Sequence, residues 1–233
     1  MRSPLSAWLS HLWPSQCLLC LRWPAQPLCR DCMARFACPV PRCRSCALQL
    51  PADNPQGLCG ACLRQPPPLS HCVVAVDYGY PWSRLLTQWK YGAQPALTRH
   101  LAQWMQTDPQ WLALRAQCAL SIPIPMSVQR LRARGYHQSL LLARALDAPQ
   151  VLPQGLQRLH HTPAQTGQGR AARLRNLRGA FSVPDAARTR IAGQCVLLVD
   201  DVITTGATLN AAAHALLQAG ALQVAAVALA RTP

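Results

Sequence analysis

The chain has 233 residues, half of them apolar, which is enough for one α/β domain of ordinary size with a real core and a small appended module. Its formal net charge is +15, from 23 basic residues that are all Arg except Lys90, against eight acidic residues that are all Asp; such a field favours a polyanionic partner or a phosphorylated ligand. No run approaches the roughly 18 apolar residues of a membrane-spanning helix, so no transmembrane helix is expected.

The opening residues, "MRSPLSAWLSHLWPSQ", have one Arg, no continuous apolar stretch and no small-residue cleavage site, which makes a poor signal peptide. Leu5, Trp8, Leu9 and Leu12 fall on one helical stripe and predict a packed N-terminal helix, with a helix that meets a partner or a membrane surface as the alternative.

Eight of the 12 cysteines then form four CxxC pairs, Cys17/Cys20, Cys29/Cys32, Cys43/Cys46 and Cys59/Cys62. Two-residue spacing lets both thiolates face one ion, so this is a metal pattern rather than a disulfide pattern. Eight thiolates suit two tetrahedral Zn²⁺ sites. Sequential pairing would put Cys17, Cys20, Cys29 and Cys32 on one ion and the other four on the second, and a cross-braced arrangement would alternate the pairs. Spacing does not choose between them, although the short loops favour the sequential form. The ions either serve only to fold a module that lacks its own core, or also build a docking surface for protein or nucleic acid. Such thiols suit a reducing cytosol, hence a cytoplasmic protein. Cys38, Cys72, Cys118 and Cys195 lack partners at ligand spacing and read as small apolar fillers.

The segment "QPPPLS" forms a stiff boundary, dividing the chain into an N-terminal helix and double zinc ribbon over 1–65 and an α/β domain over 71–233. Residues 71–80 read as a β-branched strand ending at Asp77 and Tyr78. A helix follows, with Pro81 at its start, Leu85, Leu86 and Trp89 on its apolar stripe and Gly92 as its stop. "ALTRHLAQWMQ" is a second helical pattern. "CALSIPIPM" is a strand running into prolines, and 129–146 gives a basic entry into a helix whose apolar part is Leu140 to Leu146. Residues 147–169 read as loop, with a short strand available at 151–152. Strand 194–200, helix 206–220 closed by Gly220, and a last strand "LQVAAVALA" make a βαβ unit, which predicts a parallel sheet flanked by helices.

The apolar run "VLLVDDVITTGATL" stops on Asp200 and Asp201, a quarter of the acidic residues of the chain. In open α/β sheets ligands sit at the carboxyl ends of strands. Thr204 to Thr208 then turn the chain into a helix, presenting backbone N–H groups and hydroxyls at its positive end, with Gly206 allowing close backbone approach. This suits a phosphate. The carboxylates need neutral donors instead, and sugar hydroxyls one ribose away meet both demands. A magnesium site of a nucleotide hydrolase, a phospho-acceptor pocket or a plain strand-turn-helix are the competing readings. The chain has no GxxxxGK[ST] loop, which removes the P-loop alternative.

In this stretch the chain resembles the type I phosphoribosyltransferases. The resemblance implies that Asp200 and Asp201 hold the ribose 2′ and 3′ hydroxyls and that Thr204, Thr205, Gly206, Ala207 and Thr208 hold the 5′-phosphate. With the double zinc ribbon, "WKYGA" around Lys90, "IPIPMSVQRLRARGYHQS" and "QTGQGRAARLRNLRGAF", the chain resembles the ComF family over nearly its whole length, with His137 where members commonly have Asn. That implies binding of 5-phosphoribosyl 1-diphosphate or ribose 5-phosphate and a role in natural transformation and the use of external DNA.

Residues 130–178 carry nine Arg against Asp147 alone. One reading is a solvated basic surface. A second brings Arg130, Arg134 and Lys90, with Mg²⁺, to the diphosphate, whose departure develops negative charge. In that reading Asp200, Asp201, Lys90 and Arg134 are the catalytic set of a phosphoribosyltransferase acting on an unread acceptor, and 160–176 is a lid of the kind seen in related transferases. A third is a groove for single-stranded DNA along Arg132, Arg170 and Arg175, with Tyr136 or Trp89 stacking on bases, in an adaptor that works without turnover beside DNA-uptake or recombination proteins.

Overall fold

The computed structural model describes residues 15–159 and 179–233. The N-terminal stripe, the 160–176 segment and Arg170, Arg173, Arg175 and Arg178 lie outside the described residues.

The cysteine-rich segment is one unit repeated twice. In the first copy Cys17 opens a turn closed by Leu21 N–H donating to the Cys17 carbonyl at 2.9 Å, and Cys29 caps α1 (Arg30–Phe36). In the second, Ala47 N–H donates to the Cys43 carbonyl at 2.7 Å and Cys59 caps α2 (Gly60–Arg64). Leu21 and Ala47 occupy equivalent places, each left-handed, with φ of 62° and 58°. The CxxC spacing announces the turns, but nothing in it announces α1 or α2.

The body follows as β1 (Cys72–Asp77), α3 (Trp82–Tyr91), α4 (Leu97–Met105), α5 (Pro109–Gln117), β2 (Leu120–Pro123), α6 (Val128–Arg134), α7 (Gln138–Ala145), β3 (Gln157–Arg158), β4 (Phe181–Ser182), α8 (Asp185–Ile191), β5 (Cys195–Ile203), α9 (Ala207–Gln218) and β6 (Gln223–Arg231). Four strands form a parallel sheet in the order β1-β6-β5-β2, while β3 and β4 make a separate antiparallel ladder. β5 and β6 are apolar at nearly every position because helices cover both of their faces. Val196 and Leu198 share a core with Leu209, Ala213 and Leu216 of α9. Leu197 and Val199 share the opposite core with Leu85, Leu86 and Trp89 of α3, Leu101 of α4 and Leu142 of α7.

The expected βαβ unit is present, but β5 runs past Asp200 to Ile203, because β6 keeps pairing it from Asp200 opposite Ala228 to Ile203 opposite Arg231. The basic stretch 129–146 is two helices, broken at Gly135 with φ of 77°. α5 and α8 occupy segments with no helical expectation. α5 rests on a local start signal, Asp108 Oδ1 accepting from Gln110 N–H at 2.7 Å with Pro109 in the first turn. Val151 makes only an isolated bridge to Ser121. Of the four extra cysteines, Cys72 and Cys118 are buried fillers and Cys195 is partly buried, but Cys38 is exposed. Among the described residues, no helix is long and apolar enough to cross a membrane.

α7 is started by His137, whose Nδ1 accepts from Leu140 N–H at 3.0 Å while burial lowers the imidazole pKa and keeps it neutral. Asn caps a helix in the same way. His137→Asn should retain stability, whereas His137→Ala should lose about 1 kcal/mol; urea denaturation of the two variants checks this.

Candidate functional site

β2 pairs β5 only as far as Pro123 opposite Val199, and Ile124 N–H adds one more bond to the Val199 carbonyl at 2.9 Å. Pro123 and Pro125 have no N–H to give, so the strand turns away. Asp200 and Asp201 therefore stand just past the point where β5 loses its neighbour on that side.

Alternation along β5 continues the Leu197 and Val199 face to Asp201. There Asp201 meets Lys90 Nζ at 3.0 Å and Arg134 Nη1 at 3.9 Å, all three side chains being 14% exposed. Both cations are held from behind. Gln138, fully buried, donates through Nε2 to the Lys90 carbonyl at 3.3 Å and accepts at Oε1 from Arg134 Nη1 at 3.3 Å. Tyr136 hydroxyl donates to the Trp89 carbonyl, and Trp89 Nε1 donates to Thr98 Oγ1 at 2.8 Å. The Arg134 guanidinium also lies 4.9 Å over the Tyr91 ring. Two motifs some 45 residues apart in sequence are thus tied into one support for a single carboxylate.

Asp200 accepts at Oδ1 from Ser139 Oγ at 3.3 Å and from Asp201 N–H at 2.8 Å. Burial, and then the neighbouring Asp201 charge, push its pKa from 3.8 up to about 7, against the opposing pull of the Asp201 N–H, Lys90 and the Ser139 hydroxyl. The paired carboxylates therefore differ in character. Asp201 is the member ion-paired to Lys90 and Arg134, and Asp200 is the one poised to change protonation near neutral pH.

After β5, Gly206 takes φ of 78° at the N-cap of α9, and Thr205 Oγ1 accepts from Ala207 N–H at 3.3 Å. The turn from Thr204 to Thr208 sits immediately beyond the acids, at the positive end of a helix of 12 residues. On the β2 side, Arg130 of α6 lies within electrostatic range of Arg158, whose guanidinium stacks 5.0 Å from the Phe181 ring and also feels the Asp200 charge. A cleft of about 610 Å³ opens there, lined by Met126, Ser127, Gln129, Gln154, Gln157 and Arg158 among others. Arg158 was one unmarked Arg among nine in the basic stretch, and only the β3–β4 ladder brings it to the site. Trp89 is fully buried and the Tyr136 hydroxyl is engaged, so the stacking expected of Trp89 has no exposed ring to use; exposed Tyr91 has one.

The cysteines gather as Cys17, Cys20, Cys29, Cys32 and as Cys43, Cys46, Cys59, Cys62, each with its four sulfurs within 4.8 Å of one another. This is the sequential pairing. Zn–S bonds of about 2.3 Å in a tetrahedron set sulfurs about 3.8 Å apart, and the contacts Cys17–Cys32, Cys20–Cys29 and Cys46–Cys59 measure 3.9, 3.8 and 3.7 Å. Each cluster could hold one structural zinc ion.

A parallel α/β sheet with an acid pair and phosphate-type turn at one strand end defines a phosphoribosyltransferase-like protein, and the family model for the phosphoribosyl transferase domain matches residues 142–233. The chain is 31% identical to the DNA utilization protein YhgH of Salmonella typhi, covering 94% of this chain and 98% of that protein. It is 33% identical to competence protein F of Haemophilus influenzae, over 88% of this chain and 90% of the relative. Competence protein ComFC of Bacillus subtilis is 33% identical over 42% of this chain and 38% of its own length. This chain belongs to the ComF family.

The raised Asp200 pKa has a defined consequence for stability. The folded chain keeps a proton that the unfolded chain releases near pH 4, so stability from this group is full below that pH and falls as pH rises to about 7. Asp200→Asn should match the parent near pH 4 and melt progressively higher than it between pH 4 and 7, with a constant gap above; thermal melts across that range test the sign.

Proposed function

We propose that the chain binds 5-phosphoribosyl 1-diphosphate or ribose 5-phosphate at the end of β5 and acts as a phosphoribosyltransferase in the use of external DNA. The observation that carries this is the contiguity of Asp200 and Asp201 with a Gly206-capped turn at the start of α9. Backbone N–H groups from Gly206 to Thr208, with the hydroxyls of Thr204, Thr205 and Thr208, take the 5′-phosphate. Asp200 and Asp201 accept from the ribose hydroxyls. Lys90, Arg134 and Arg130 face the diphosphate, whose negative charge replaces part of what Asp201 supplies to the first two in the ligand-free chain. With both carboxylates facing the ribose hydroxyls and Asp201 also engaged by Lys90, Arg134 and the Val202 N–H, Mg²⁺ would be held chiefly by the diphosphate oxygens. When bound it neutralises charge developing on the leaving diphosphate. The names of the relatives, which speak of DNA utilization and competence, support the cellular role.

Calorimetry with ribose 5-phosphate, inorganic phosphate and the sugar diphosphate tests the site. Asp201→Asn should weaken both sugar phosphates about 10- to 100-fold, the equivalent of one or two charge-assisted hydrogen bonds, and leave inorganic phosphate nearly unchanged. Equal losses would make the acid pair structural. Release of diphosphate in the presence of candidate nucleobase acceptors then decides turnover.

A second reading has α6 as a contact for single-stranded DNA, favoured by a helix with no buried residue that carries Arg130, Arg132 and Arg134 beside exposed Tyr91. Arg132→Ala should then reduce the slope of log affinity against log salt by about one phosphate contact without touching sugar-phosphate affinity. Absence of DNA binding at about 50 mM salt, where the electrostatic contribution is strong, discards this reading and leaves the first intact.

A further inference from the structure

Arg231, the last residue of β6, is only 7% exposed, and every hydrogen bond of its guanidinium goes to a backbone carbonyl. Nε donates to Cys46 at 3.1 Å, and Nη1 donates to Ile203 at 3.3 Å, to Thr204 and to Thr232 at 2.9 Å. Among the described residues, no carboxylate lies within ion-pair distance of it. A buried guanidinium satisfied by carbonyls alone still lacks a compensating negative charge. The cysteine cluster to which Nε is bonded would supply one, because a zinc ion with four thiolates carries a formal charge of about −2. On its other side the same guanidinium fastens the carbonyls of Ile203 and Thr204, the two residues that carry the chain from β5 into the turn before Gly206.

The second cluster is also joined rigidly to the body. Cys72 N–H of β1 donates to the Arg44 carbonyl at 2.7 Å, Arg42 pairs with Asp77 at 2.7 Å, and Ala47 is buried in the core that includes α9. The cluster cannot rearrange without moving the Cys46 carbonyl, and that movement reaches Thr204 through one side chain. None of the Arg231 hydrogen bonds goes to the first cluster.

We infer that Arg231 is a positioning residue that couples the second cysteine cluster, Cys43, Cys46, Cys59 and Cys62, to the Thr204–Thr208 turn, so that metal held by that cluster and a phosphate monoester held by the turn stabilise each other. The inference rests on the phosphate-site reading above. Coupling between two sites is reciprocal, so it is readable from the metal as well as from the ligand.

The test follows zinc release from the full-length, zinc-loaded protein to a chromophoric chelator, with and without saturating ribose 5-phosphate, beside calorimetry of the sugar phosphate. In the parent, ribose 5-phosphate should slow release of one of the two ions about tenfold, within the usual range of coupling between sites, and leave the other unchanged. Arg231→Lys keeps the charge but cannot reach Cys46 and Thr204 together. It should weaken the sugar phosphate and make release of both ions independent of it. Arg231→Gln should do the same, and if it fails to fold, the parent and Arg231→Lys still decide the matter. A role in stability alone would lower the melting temperature of Arg231→Lys and leave the ligand-dependent slowing in place, which overturns the coupling. Equal slowing of both ions, or none while calorimetry shows the sugar phosphate bound, overturns it as well. No binding of ribose 5-phosphate by the parent removes the phosphate-site reading itself, and the coupling with it.

Discussion

The ion pair between Asp201 and Lys90 is the interaction on which the arrangement of the functional end depends. A carboxylate at the end of a strand covered on both faces loses most of its hydration, and a cation 3.0 Å away offsets that loss only if it is held in place. Holding it requires the end of α3 to stay beside β5. Trp89 secures this by filling the core below, and Tyr136 and Gln138 by bonding the carbonyls of Trp89 and Lys90 from the start of α7. Much of the region from α3 to α7 is explained by the need to keep one negative charge accompanied.

That accompaniment frees Asp200 to be different. With the local positive charge committed to Asp201, Asp200 is left with a serine hydroxyl and a backbone N–H, and burial raises its pKa toward neutrality. Two identical side chains in adjacent positions acquire separate properties because the strand presents them to different neighbours.

The parts of this arrangement legible in the sequence are those written in local pattern. Apolar runs mark β5 and β6, the stripe Leu85, Leu86, Trp89 marks α3, and four CxxC pairs mark two metal clusters. The run of acid, acid and Thr/Gly turn marks the end of β5 as the candidate site. What escapes is whatever depends on distance in the chain. Nothing near Lys90 says that its partner is Asp201, nothing near Arg158 says that a two-residue ladder carries it to the cleft, and Arg231 follows a uniformly apolar strand as if it were its exposed end. α1 and α2 escape for another reason, since helices of five and seven residues are too short to show a period and form because the cysteines at their caps are gathered. Trp89 misleads in the opposite sense: an indole beside the lone lysine suggests a surface for bases, whereas its position on the stripe already assigns it to the interior.

The solitary lysine has a chemical consequence. Lys90 is the one side-chain primary amine in the sequence, so acylating, carbamylating or glycating reagents directed at side-chain amines converge on a single nitrogen. That nitrogen is bound to Asp201 and largely shielded. Losing its charge would leave a carboxylate with a weaker counterion at the heart of the site, while the arginines elsewhere stay untouched. The reactivity of one atom toward an amine reagent is accordingly a direct gauge of whether the carboxylate end of β5 is assembled, and mass spectrometry can read it without any introduced label.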